Sequence, residues 1–132
     1  MSVPRGAATS TASRWVPPVS WAGVILVLTS WPSPRIGTEI TGIDKVGHFS
    51  VYAILGALTA RALLQPRTLR ALVLAAGFIA LFGALDEVHQ LWVRGREASV
   101  WDWTADLLGC VVGLTLGNHY LSLARARREL TQ

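Results

Sequence analysis

Three short segments carry most of the residues that could do chemistry. The first is Asp44-Lys45-Val46-Gly47-His48-Phe49-Ser50-Val51-Tyr52, and the second is Ala84-Leu85-Asp86-Glu87-Val88-His89-Gln90. The third runs from Arg96 through Ser99 and Asp102 to Asp106. On a helix, residues three or four apart share a face. Asp44, His48 and Tyr52 therefore align, as do Asp86, His89 and Gln90, and again Asp102 and Asp106. Glu87 is rotated about 100° from Asp86 and borders its face. Carboxylates beside histidines suit general acid–base work, because burial and like-charge neighbours bring a carboxyl group's proton affinity toward neutrality. The candidate catalytic residues are His48, Asp86, Glu87 and His89. The candidate binding residues are Asp44, Lys45, Tyr52, Gln90, Arg96, Ser99, Asp102 and Asp106.

His48, Asp86 or Glu87, and His89 also form a donor set that a divalent metal accepts. No linear metalloprotease motif is present, so the residues leave the metal open, and they point to no organic cofactor. Plainer roles compete for several of these positions. Thr41-x-x-Asp44 and Ser99-x-x-Asp102 resemble capping boxes that start helices. Tyr52 reads equally well as a packed aromatic with its hydroxyl satisfied. Arg94 reads as a solvated charge, Glu39 and Glu97 as loop charges, and Cys110 and His119 as structural. Asp86, Glu87, His89 and Asp106 fall too far along their apolar stretches for a capping role.

The elements that must position these groups are apolar. Of 132 residues, 52% are hydrophobic and only 15% charged, against roughly 25% charged in an ordinary soluble domain. Four stretches hold the hydrophobicity: about 16–31, 46–64, 69–93 and 103–123. The last three reach the roughly 20 residues that a helix needs to cross a bilayer core. The first is shorter, with Pro17 and Pro18 expected in its opening turn, where proline is tolerated. A signal peptide is the alternative for that stretch, with Arg5 and Arg14 as its basic region, but Thr29-Ser30-Trp31-Pro32 makes a poor cleavage site. One cysteine, Cys110, precludes an intramolecular disulfide. The net charge of +4 comes from arginines scattered at the ends of apolar runs, not lining one face, which argues against nucleic acid.

Orientation follows from the same charges. With the N-terminus inside, Arg5, Arg14, Arg61, Arg67, Arg70, Arg125, Arg127 and Arg128 lie on the cytoplasmic side, eight of the 12 basic residues. Seven of the eight acidic residues then fall in the outer half, with only Glu129 inside. Trp15 and Trp21 fall near the inner boundary, and Trp31, Trp92, Trp101 and Trp103 near the outer one, as an aromatic belt requires. The expectation is an all-α, polytopic integral membrane protein of the cytoplasmic membrane, with four transmembrane helices and both ends in the cytoplasm. Residues 1–14 form a disordered tail, 15–123 the four-helix domain, and 124–132 a basic tail. Gly109, Gly113 and Gly117 make a small-residue ridge. It is matched by Ala53, Gly56, Ala57 and Ala60, with a homodimer through the ridge as the alternative use.

The ordered pattern Asp44-Lys45-x-x-His48-Phe49-x-x-Tyr52, then Asp86-Glu87-x-His89-Gln90, then Gly95-Arg96-x-x-Ser99-x-x-Asp102-x-x-Ala105-Asp106-x-x-Gly109 resembles the VanZ-like family. It departs from that family at Arg94, where the family usually has proline, and at Asp106, where it often has asparagine. The resemblance covers roughly residues 40–115. It implies a four-helix protein of the bacterial cytoplasmic membrane, in a family named for an accessory protein of low-level teicoplanin resistance, and it implies no reaction.

Three functions fit these residues. The first is acid–base or metal-assisted chemistry on a cell-envelope lipid or lipid-linked precursor at the outer face. The second is a non-catalytic module that captures an amphiphilic ligand. The third is a structural or proton-conducting polar network. In each, helices two, three and four supply the polar groups and helix one supplies packing.

Overall fold

The computed structural model describes residues 11–32, 42–63 and 68–131. Arg5, Glu39, Thr41 and Arg67, which enter the charge and capping arguments above, lie outside the described residues, as does Arg35, one of the four basic residues left to the outer side. The described chain is all-α, with α1 Thr11–Thr29, α2 Ile43–Ala62, α3 Leu69–Gln90 and α4 Val100–Glu129. Two of these, α3 and α4, are long and apolar enough to cross a membrane. At about 1.5 Å per residue, they outreach a hydrocarbon core of roughly 30 Å.

The boundaries differ from the apolar stretches in instructive ways. α1 starts at Thr11, so Pro17 and Pro18 lie inside the helix instead of in its first turn. Each proline removes one backbone donor from the helical ladder. α4 runs on to Glu129, carrying the basic run Arg125, Arg127 and Arg128 on helical backbone. α3 is capped by the preceding Thr68, whose hydroxyl accepts from the Ala71 amide at 3.2 Å. The N-cap of α2 is Gly42, which offers no side-chain cap and lies in the left-handed region at φ +99° that glycine adopts without strain.

Packing is dominated by α2 against α4. Gly109 and Gly113 lie directly against the main chain of Phe49 and Ala53, and Gly56 lies against the Cys110 carbonyl. A methyl group at any of the three would overlap backbone atoms. This close approach is the small-residue mode of helix association, and it covers the glycine ridge of α4 with α2. Two indoles staple the other helices on. Trp21 Nε1 donates to Val51 O at 2.8 Å, joining α1 to α2. Trp103 Nε1 donates to Ala80 O at 3.0 Å, joining α4 to α3. Both tryptophans are half-buried, so they lock helices together where the sequence suggested belt residues. The apolar core between the helices is small: Ile25, Tyr52, Leu55, Ala60, Ile79, Cys110 and Leu114.

Gly113→Ala is expected to lower stability by about 2–3 kcal/mol, the upper range for overpacking. Gly77→Ala, with open space around it, should change stability by less than about 0.5 kcal/mol. Thermal unfolding of the two variants in one detergent checks the contrast.

Candidate functional site

The α2–α4 contact brings the polar starts of both helices together. Lys45 Nζ lies 2.9 Å from Asp102 Oδ1 and 3.0 Å from Asp44 Oδ2. One turn deeper, His48 Nδ1 lies 3.0 Å from Asp106 Oδ1. An ionised carboxylate only accepts, so the Nδ1–H tautomer fits this bond and leaves Nε2 as the second ring nitrogen. Asp44 and Lys45 stand ahead of the apolar run that begins at Val46. There the hydrogen bond from Lys45 holds the Asp44 carboxyl below its usual range, and the bond to Asp102 holds the Lys45 ammonium above its own.

The end of α3 closes the site from the other side. Glu87 is buried. Its Oε2 accepts the Ser99 amide at 2.7 Å, its Oε1 accepts from Gln90 Nε2 at 3.3 Å, and Oε1 lies 3.9 Å from His48 Nδ1. Ser99 is the N-cap of α4, its hydroxyl accepting from the Asp102 amide at 3.2 Å. The cap is therefore a capping box split between two helices. Ser99 supplies one half, and Glu87 of α3 supplies the reciprocal acceptor that Asp102 would have provided. Asp102 is thereby left for Lys45. This corrects the expectation that Glu87 lies too deep to cap a helix: the helix it caps is its neighbour's.

α1 is more than packing, contrary to the sequence reading. The Thr29 hydroxyl reaches Asp86 Oδ1 at 2.7 Å, shorter than its 3.0 Å to the Ile25 carbonyl of its own helix. Ser30 Oγ and His89 Nε2 lie 3.0 Å apart. Arg96 spans from the α3–α4 loop to the carbonyls of Leu28 and Trp31 at 3.3 and 3.4 Å, satisfying acceptors that a helix end leaves open. Gly95, at φ +81°, turns the loop so that Arg96 can reach them.

Most of the candidate residues thus converge. Asp44, Lys45, Asp102, Ser99, Glu87 and Gln90 form one hydrogen-bonded chain, the His48–Asp106 pair approaches it at Glu87 Oε1, 3.9 Å from His48 Nδ1, and Asp86 and Tyr52 are buried beside them. His89 and Arg96 are the exceptions: Arg96 is directed at the carbonyls of Leu28 and Trp31, and His89 is exposed and faces Ser30, because helical phase near the end of α3 turns position 89 toward α1. Among the described residues, the donor triangle that does form is His48, Glu87 and Asp102, with atoms within 4.8 Å of one another. Its members are already engaged by Asp106, by Ser99 and Gln90, and by the Lys45 ammonium respectively, so the arrangement is a network of protein donors and acceptors.

Beside this network lies a partly open cleft of about 250 Å³. Ile25, Leu28 and Val51 give it an apolar wall, and Thr29, Asp44, His48 and Arg96 give it a polar one. Thr29 and the apolar wall were missed in the sequence. Their only signal was the polar Thr29-Ser30 step that ends the first apolar stretch.

Replacing Thr29 with valine should leave the buried Asp86 Oδ1 without its donor and lower stability by about 1–3 kcal/mol. Ser20→Ala, an exposed change on the same helix, should be near neutral. Chemical denaturation in mixed micelles measures both.

No curated protein and no solved structure matches the chain. The family model VanZ/LLP1 matches residues 3–121, spanning all three polar segments and most of the four helices. With that coverage, the chain belongs to the VanZ/LLP1 family.

Proposed function

We propose that the protein crosses the cytoplasmic membrane four times with both ends inside. In this reading its polar end opens at the outer leaflet, and His48 performs acid–base chemistry there on the head of an amphiphilic or lipid-linked cell-envelope molecule. The carrying observation is the His48–Asp106 pair at 3.0 Å beside the cleft. A carboxylate on Nδ1 orients an imidazole and favours the tautomer in which Nε2 takes a proton from a substrate. The cleft's two-sided lining suits a ligand with an acyl or isoprenoid part and a polar head, and pockets of this kind take their specificity from a few polar groups.

Topology is supported by the charge bias of the loops and by the exposed Trp31, Trp92 and Trp101 around the polar end. Polar side chains inside a bilayer face the bundle interior. This matches the burial of Asp86, Glu87 and Asp106.

A non-catalytic capture module is the second reading. It is favoured by the engagement of nearly every polar group in the network with another protein group, which suits a rigid receptor.

Reporter fusions test the topology. A fusion within the loop at Gly95 should be active only with a periplasmic or extracellular reporter, and one after Gln132 only with a cytoplasmic reporter. The chemistry is tested by expressing the chain in a teicoplanin-susceptible bacterium. The wild type should raise the inhibitory concentration, and His48→Ala, at equal membrane abundance, should abolish the rise. Retained protection by His48→Ala, with loss in a Val51→Trp variant that fills the cleft, would replace catalysis with capture. If the wild type gives no protection, teicoplanin is the wrong ligand class.

A further inference from the structure

Among the described residues, three buried side-chain oxygens lack a hydrogen-bond partner: the Tyr52 hydroxyl, Asp86 Oδ2 and Asp106 Oδ2. They come from α2, α3 and α4, and their residues are 0%, 1% and 2% exposed. The two aspartates are built alike. Each has its Oδ1 held by a donor from a neighbouring helix, Thr29 for Asp86 and His48 for Asp106, and each keeps its Oδ2 free. Gly83 keeps the space narrow: a Cβ there would lie 3.3 Å from Asp106 Oδ2 and 3.4 Å from Tyr52 Cε1. A buried polar atom left without a partner costs about 1–3 kcal/mol, and more when charged. Three in one place call for a shared ligand.

The surrounding charges identify it. Around the three oxygens stand Thr29 of α1, His48 of α2, Glu87 of α3, and Asp102 and Cys110 of α4. Glu87 is occupied by the Ser99 amide and Gln90, and Asp102 by Lys45. Arg96 is directed at main-chain carbonyls and His89 at Ser30. Asp86 thus lies in the field of His48, His89 and Arg96, and Asp106 in that of His48, but of these cations only His48 is hydrogen-bonded to either carboxylate, and no cation among the described residues reaches either one's Oδ2 atom. A hard metal ion wants six or more oxygens, twice what this space offers. A proton needs no coordination shell.

We propose that Asp86, Tyr52 and Asp106 form an internal proton-binding site, in which one proton is held between the two free Oδ2 atoms with the Tyr52 hydroxyl as bridge. The protonated carboxyl donates to Tyr52 Oη and Tyr52 donates to the other Oδ2, the side chains moving into hydrogen-bond reach as the proton binds. One added proton then gives all three oxygens a partner and leaves a single negative charge opposite His48. Because Asp106 also holds His48 Nδ1, the site adjoins the imidazole and can serve as its proton store. Only that service rests on the catalytic reading of His48; the site itself does not.

Infrared spectroscopy of the purified full-length protein in nanodiscs at neutral pH, with aspartate carboxyls labelled with carbon-13, tests this directly. The expected result is a carbonyl-stretch band of a protonated carboxyl that shifts with the aspartate label. It should be lost in Asp86→Asn and displaced in Tyr52→Phe, which keeps the ring and removes the bridge. Absence of a label-sensitive band in the wild type overturns the proposal, as does a band unchanged in both variants. The wild-type and Tyr52→Phe spectra decide the matter even if Asp86→Asn fails to fold. No substrate enters the measurement, so its failure leaves the reading of His48 standing, and failure of the susceptibility experiment leaves this site standing.

Discussion

The close approach of α2 and α4 is the constraint on which the rest of the molecule depends. Gly109 and Gly113 lie against the main chain of Phe49 and Ala53, each the residue that follows a polar group of α2, His48 and Tyr52 respectively. Helices separated by ordinary side chains sit 8–10 Å apart, and at that distance a histidine and an aspartate on facing helices need not meet. With the side chains removed from the seam, His48 reaches Asp106 and Lys45 reaches Asp102. The glycines are therefore as much a part of the site as the ionisable residues.

α1 is attached to the bundle in good part through polar contacts. Its apolar residues Val24, Val27 and Leu28 remain exposed. Its links to the bundle include the Trp21 indole, the Thr29 hydroxyl, Ser30, and two carbonyls taken by Arg96. Three of these links touch the cleft or the groups beneath it. The hydrogen bonds that seat α1 and the ones that shape the cleft are thus largely the same bonds.

Much of this was legible in the sequence, for a definable reason. Periodicities of four report helix faces, so the ridge at Gly109, Gly113 and Gly117 and the faces of Asp44–His48–Tyr52 and Asp102–Asp106 could be read directly. Ser99 could be read as a cap because capping is local. Glu87 could not, because its partner, the Ser99 amide, lies across a turn of the chain and belongs to the next helix. Thr29 was illegible for a different reason: a threonine at a helix end satisfies itself on its own i−4 carbonyl, and only the short 2.7 Å approach to Asp86 reveals the tertiary partner. His89 was misplaced because helical phase carries Asp86 and Gln90 inward while turning it to α1. Pro17 and Pro18 misled the reading of α1 because proline is common at a first turn, and here the helix starts earlier.

The split capping box has a further physical consequence. In an ordinary box the acidic residue three positions after the cap folds back on the cap's own amide, and its charge is spent on the helix start. Here Glu87 takes that duty from α3, so Asp102 keeps its carboxylate for Lys45 and the positive charge of Lys45 is drawn to the mouth of the site. The start of α4 consequently registers the position of α3, and α3 carries both Glu87 and Asp86. A displacement of α3 along its axis would uncap α4, release Asp102 to compete for its own helix start, and withdraw Asp86 from Thr29 in the same movement. Fold and site are coupled through one carboxylate, whose two oxygens reach different elements.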